Sequence, residues 1–300
     1  MKKKTYLIAL MAMALTLGSC SNNEDGIGGE TSKYITVSTS IGNMTRVATD
    51  ANGGQTFEEG DEISVYAWTG APTVAPETSE RVVNNAINKL TNGSWVSTPQ
   101  MLWKNNRDKH YFIGVYPTAV ISDLSAGEYT FDVNKQTESD LLVAVNKDGL
   151  SYNADAQQTV PLTFTHVMAK LAVNLTYKNQ WGGIPTVEKV VVGNAAKEAT
   201  INYLTKVVTP STTAKEDFSL PEITENTKYV SVIIPQEDVK QLTIVIGGKN
   251  FVYDNGTPFK LESGKITTVN LEVGRDEIKL GDVKITDWEN GSTFSGEALN

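Results

Sequence analysis

The 300-residue chain has one cysteine and two histidines, and these shortages remove several classes of protein. A single cysteine makes no disulfide, so the fold must be held by its own core. His110 and His166 are far apart in sequence, whereas a metal site needs several ligands in one shell; structural or strand-end roles are expected of both. A serine or cysteine hydrolase needs a base beside its nucleophile, and the chain has neither a Gly-x-Ser-x-Gly elbow nor a glycine-rich nucleotide loop. The paired carboxylates of a glycosidase have no specific support among 35 acidic residues. Basic residues are the minority, 26 against 35. Without residues 1–19, which contain three lysines, the balance is 23 against 35 and the net charge about −12. The basic footprint that phosphate contact requires is missing, so nucleic acid is not an expected partner. No catalytic residue, metal or cofactor is expected.

What is present begins at the N-terminus. Lys2, Lys3 and Lys4 precede an apolar run over residues 6–17, followed by Gly18, Ser19 and Cys20, the layout of a secretory signal over residues 1–19. The apolar run falls short of the roughly 20 residues that span a bilayer. Leu17-Gly18-Ser19-Cys20 resembles a bacterial lipobox, which implies cleavage between Ser19 and Cys20 and acyl chains such as palmitate on Cys20. Two signals or chains anchor stably where one is marginal, so a soluble but tethered lipoprotein is expected. Residues 20–32 are polar, acidic and glycine-rich and read as a flexible spacer.

From residue 34 the pattern has period two. Tyr34 opens a strand in which Ile35, Val37 and Ile41 share one face while Thr36, Ser38 and Ser40 share the other. Gly42-Asn43-Met44-Thr45-Arg46 then leads into turn formers through Gly54, an expected exposed loop of the kind proteases cut. Further strands are expected at residues 63–68, 81–90 (where 82–90 also fits a helical stripe), around Trp95, 111–116, 129–133 and 141–145, and the polar stretch 151–158 ends at Val160-Pro161-Leu162-Thr163-Phe164. From Val167 the alternation sets Val167, Ala169, Leu171, Val173 and Leu175 against His166, Met168, Lys170 and Asn174. More strands follow at 187–192, 200–204, 229–234, 242–246, 251–253, 266–273 and 283–288, with a hairpin turn at Asp254-Asn255-Gly256. Short strands with a turn every ten residues or so predict an all-β sandwich fold. Length and pattern together suggest two domains, 33–158 and 159–300.

Several stretches, in this order, resemble the fimbrillin family: residues 35–46, Phe57-Glu58-Glu59-Gly60-Asp61, Phe112-Ile113-Gly114-Val115-Tyr116-Pro117, Asp140-Leu141-Leu142, Phe164-Thr165-His166-Val167-Met168, Ile234-Pro235-Gln236 and Ile285-Thr286-Asp287-Trp288. The resemblance implies two tandem transthyretin-like β-sandwich domains and a subunit of a surface pilus that contributes to adhesion. It also implies export as a lipoprotein and cleavage by an arginine-specific protease between Arg46 and Val47. The first strand, with Tyr34, Ile35, Val37 and Ile41, would leave, and a strand from another pilin subunit would fill its groove. Arg81 and Arg107 are the next arginines, and a cut there would enter the domain. Val283, Ile285 and Phe294 offer a weak donor pattern near the C-terminus, while residues 291–300 are polar.

Other readings stay open at this point. A lipid-anchored protein of the same fold could bind glycans or host ligands without polymerising, with Trp68, Trp95, Trp103, Trp181 and Trp288 as sources of a stacking platform, or it could serve as a pilus anchor that keeps its lipid. Asp50-Ala51-Asn52-Gly53 and Asp254-Asn255-Gly256 look like calcium loops but lack the later glutamate, so turns are the simpler reading.

Overall fold

A computed structural model describes residues 33–42, 56–153, 158–254 and 256–288. Among them the chain forms nineteen strands and two single-turn helices. In chain order the strands are β1 (Thr36–Ile41), β2 (Glu62–Thr69), β3 (Val83–Thr91), β4 (Ser94–Thr98), β5 (His110–Tyr116), β6 (Gly127–Thr130), β7 (Leu142–Leu150), β8 (Thr159–His166), β9 (Ala169–Tyr177) and β10 (Val187–Ala196). They continue as β11 (Glu198–Asn202), β12 (Val207–Pro210), β13 (Lys215–Ser219), β14 (Glu222–Thr224), β15 (Lys228–Ile233), β16 (Gln241–Ile246), β17 (Lys249–Asp254), β18 (Lys265–Val273) and β19 (Ile278–Asp287). The fold is all-β, as the strand pattern requires.

The first sheet runs β1-β8-β7-β5-β2-β3-β4. Both of its faces are buried. Ile63, Val65 and Ala67 of β2 join Phe112, Leu162 and Phe164 in one core, while Tyr66 and Trp68 point into a second core with Ile113, Val115 and Val143. The half-buried alternation expected at residues 63–68 is therefore corrected: the whole run is buried, because a layer packs on each side. Ser64 tolerates this burial because its Oγ accepts the Ala119 N–H at 3.0 Å. Close packing explains Gly114 in β5, where an added Cβ would lie 2.6 Å from Cζ of Phe164.

Residues 159–166, assigned by the sequence pattern to the second half, complete the first sheet as β8, and the chain changes sheets through Val167 and Met168. The second half has a four-stranded sheet, β13-β10-β16-β17, and a five-stranded sheet, β14-β15-β9-β18-β19. Leu171, Val173, Val190, Leu242, Val269 and Leu271 of these sheets belong to one apolar core. A fourth sheet, β12-β11-β6, takes β6 from the first half of the sequence.

Three expectations change here. The pattern gave no sign of β12, β13 or β14, which are only three to five residues long and mostly not buried. The hairpin expected at Asp254-Asn255-Gly256 does not join paired strands: β17 pairs with β16, their link being Gly247-Gly248, and β18 lies in another sheet. Gly256 donates its N–H to Oδ1 of Asp254 at 2.9 Å, and Asn255 lies outside the described residues. His166 and Met168, set by parity opposite the Val167 face, are buried as well as that face. His166 bonds Asp140 at 2.8 Å and stacks on Trp288 with ring centroids 3.9 Å apart, so a further layer covers that face.

Candidate assembly site

The first strand sits where the first sheet would otherwise be open. β1 pairs in parallel with β8, Thr36 opposite Thr159 and Ile41 opposite Phe164. Such a pairing is possible because more than a hundred residues of connection separate the two strands. Ile35, Val37 and Ile41 are buried, 1%, 6% and 9% exposed. Across the other face a polar ladder is visible, with Ser40 Oγ donating to Thr163 Oγ1 at 3.2 Å. The predicted two-faced strand is thus present, with Tyr34 half exposed at its start and bridged to Leu102.

On its other side β1 meets the segment that follows β4. Ile35 N–H donates to the Met101 carbonyl at 2.9 Å, and Trp103 N–H donates to the Lys33 carbonyl at 3.2 Å. Trp95 Nε1 donates to Thr39 Oγ1 at 3.0 Å. The seven-stranded sheet therefore curls until its first and last strands flank the same segment, and β1 closes it. Removal of β1 would uncover an apolar trough lined by Val160, Leu162, Phe164, Met101 and Trp103, which share its core.

The backbone of β8 is arranged for this partner. Gly42 N–H donates to the Phe164 carbonyl at 2.8 Å, and the two-residue period then turns the N–H and C=O groups of Val160 and Leu162 toward β1 as well. Pro161 falls on the opposite phase, beside the Asn146 side chain at 3.5 Å. Its missing N–H costs the β1 ladder nothing.

Phe57, the second described residue after Gly42 and the undescribed residues 43–55, packs edge-on against Phe164 at 5.1 Å and against Trp95 and Tyr116 at 5.3 Å. It fastens the returning chain to the floor of the trough. Burial, with Asp61 adding to it, pushes the Tyr116 phenol up to about 12, so this ring stays neutral beside the apolar floor. The two-sided seat at residues 101–103 and the role of Phe57 were not foreseen from spacing; only the aromatic at position 57 ahead of an acidic turn hinted at it.

His110 supports the same wall from behind. It is fully buried, its Nε2 accepts the Lys104 N–H at 3.0 Å, and its ring stands edge-on to Trp103 at 5.0 Å. An accepting Nε2 must be unprotonated, and burial pulls the imidazole below its usual range, with the Asp108 carbonyl at Nδ1 opposing that shift. The unfolded chain takes up a proton near pH 6.5 while the folded chain resists it. Stability is therefore complete above that pH and falls as pH drops below it, by at most about 1.4 kcal/mol per pH unit for this one proton. Melting temperatures at pH 7.5 and 5.5 should fall more for the natural chain than for His110→Asn; equal falls would remove His110 as the cause.

Ser19, Cys20, Arg46, Val47 and Phe294 lie outside the described residues. Val283 and Ile285, the weak donor pattern, sit in β19 paired with β18 of their own chain. Arg107 is exposed, whereas Arg81 is buried with its guanidinium bound to the Ile121 and Ser122 carbonyls at 2.6 Å. None of the five tryptophans is exposed; Trp68, Trp103 and Trp288 are buried and Trp95 and Trp181 half-buried.

These features define a class, all-β proteins in which a strand from the start of the chain closes the first sheet. Residues 45–288 match the model of the fimbrillin-like family, and the chain belongs to that family. No curated protein sequence matches it. Among solved structures, a candidate cell adhesion protein from Bacteroides uniformis shares 18% identity with a TM-score of 0.64, over 85% of this chain and 99% of that one. A candidate cell adhesion protein from Bacteroides ovatus shares 18% identity with a TM-score of 0.62, over 85% and 98%. The C-terminally truncated tip fimbrial protein Mfa3 from Porphyromonas gingivalis shares 12% identity with a TM-score of 0.50, over 77% and 95%. At these identities the likeness is one of fold. Family membership supports a fimbrial subunit role at the cell surface, in a structural family and not a known enzyme family.

Proposed function

We propose that this protein is a pilus subunit that reaches the outer membrane as a lipoprotein through Cys20 and assembles by exchange of its first strand. Cleavage between Arg46 and Val47 releases β1, and a strand from another subunit takes its place in the first of two sandwich domains, which change over at Val167 and Met168. The observation that carries this reading is the seat of β1. It is a six-residue strand with apolar side chains on one face, laddered to β8 on one side and tied on the other through Lys33, Ile35 and the Trp95–Thr39 bond, and Arg46 follows it five residues on in the sequence. A vacated strand position leaves unpaired N–H and C=O groups beside an apolar trough and favours pairing with another chain. Strand addition of this kind takes affinity from the ladder and register from alternate side-chain pockets.

The test is the N-terminal sequence and intact mass of the protein taken from the surface of its native host. A chain that starts at Val47 without lipid agrees with strand exchange. One that starts at acylated Cys20 points instead to an anchor or a non-polymerising surface protein. In vitro, an arginine-specific protease should cut the folded chain after Arg46 well before Arg81, whose side chain is held inside the fold. A first cut at Arg107 would count against the loop as the processing site.

A further inference from the structure

The last described strand has an open outer edge. β19 ends the five-stranded sheet, with no strand on its far side among the described residues, and every residue after Ile278 in it is exposed. Leu280, Val283 and Ile285 are 37%, 38% and 39% exposed, although their partners in β18, Leu271, Val269 and Thr267, are 1% exposed or less. A register shift at Gly281 keeps Leu280 on the same face as Val283 and Ile285. Without that extra residue the period of two would turn Leu280 to the polar face.

Hydrogen bonds at the two ends fix the phase of the edge. Trp288 N–H donates to the Gly264 carbonyl, and Gly274 N–H donates to the Glu277 carbonyl. Counting in twos from each end, Thr286, Lys284, Asp282 and Lys279 direct their backbone groups toward β18. Ile285, Val283 and Leu280 then direct theirs outward, so the apolar residues also carry the unpaired N–H and C=O groups.

We propose that two copies of this chain associate edge to edge through β19, antiparallel about a two-fold axis at Val283. In that register Val283 faces Val283 of the second copy, and Ile285 faces Leu280 in both directions across the bulge. On the polar face Asp282 falls opposite Lys284, twice, and such opposed charges stabilise cross-strand pairs. Other registers are poorer: a parallel pairing in register sets Asp282 against Asp282, and an axis at Ile285 sets Asp287 against Val283. Lysines and bulges usually guard an edge against pairing, but here each lysine meets an aspartate and the bulge lies outside the central pair. A closed, isologous dimer results. It uses neither the trough nor the removal of β1, so it stands or falls separately from strand exchange.

Sedimentation velocity of the purified full chain tests this, at concentrations up to about 0.1 mM, where a pairing of small area should show. The natural chain should dimerise reversibly. Lys284→Asp and Asp282→Lys should each weaken association about tenfold or more, with circular dichroism unchanged. An equimolar mixture of the two variants should form a heterodimer, and the double variant, with the charges exchanged, should dimerise again. A natural chain that stays monomeric throughout, as it would if residues 289–300 cover this edge, overturns the proposal. So does a pair of single variants that fail to associate with each other.

Discussion

A chain that begins at Val47 should melt at a markedly lower temperature than the whole protein and should bind a hydrophobic dye, because the trough of its first sheet is open to water. Burial of Ile35, Val37 and Ile41 is worth roughly 5–9 kcal/mol as an upper figure, against whole-domain stabilities of about 5–15 kcal/mol. Ordering the strand takes part of that back, yet the loss also strips cover from Val160, Leu162 and Phe164 and leaves the β8 ladder unpaired. A net loss of several kcal/mol is expected. A synthetic peptide with the sequence of residues 34–41 should restore stability with the logarithm of its concentration, about 2.7 kcal/mol at a hundred times its dissociation constant. The same peptide with Val37→Asp should restore nothing, since a carboxylate would enter the trough without a partner. A shortened chain that melts like the whole one, with no dye bound, would show that β1 is not what closes the sheet.

The reason β1 was legible in the sequence also explains what was not. One face of β1 is buried and the other solvated, so Ile35, Val37 and Ile41 against Thr36, Ser38 and Ser40 give a clean signal. β2 gives a misleading one. Its Ser64 looks like a solvent-facing residue but is fully buried, because a backbone N–H from residue 119 arrives to satisfy it. Period-two reasoning sees one layer at a time, and this chain stacks layers on both faces of its first sheet. The same cause hid the burial of His166, which Trp288, just past β19 and more than a hundred residues away, covers.

β13 was invisible for the opposite reason. Only Phe218 in Lys-Glu-Asp-Phe-Ser is buried, and the segment becomes a strand because β10 offers it an edge. At residues 254–256 the strand partners were read wrongly, since β17 pairs back to β16 and β18 lies in another sheet. Of the candidate assembly site, the sequence showed the strand, while Arg46 lies outside the described residues. The parallel partner β8 and the flank at residues 101–103 are long-range pairings with no local pattern.

Replacement of Arg81 by alanine should lower the melting temperature by about 10 °C. Its Nη1 donates to the Ile121 carbonyl at 2.6 Å and to Asn84 Oδ1 at 2.9 Å, and its Nη2 donates to the Ser122 carbonyl at 2.6 Å. The guanidinium also lies 5.4 Å from the centre of the Tyr66 ring, whose hydroxyl accepts the Ile121 N–H at 3.0 Å. Arg81 and Tyr66 together grip residues 119–122, in the connection between β5 and β6. Bonds to a charged group contribute about 1.5–3 kcal/mol each, and bonds in one cluster do not add fully. A loss of about 3–5 kcal/mol follows, or roughly 2–4 °C per kcal/mol for a chain of this size.

The informative variant is Arg81→Lys. Nε of Arg81 is buried without a hydrogen-bond partner, so lysine removes an unsatisfied donor while keeping the charge. Lysine is a point charge, however, and cannot place two separate nitrogens on two successive carbonyls. If the fork is what holds the loop, Arg81→Lys should fall most of the way to Arg81→Ala, and proteolysis within residues 119–126 should rise in both. If lysine melts with the natural protein, a single charge over Tyr66 is enough, and the two-pronged fit contributes little.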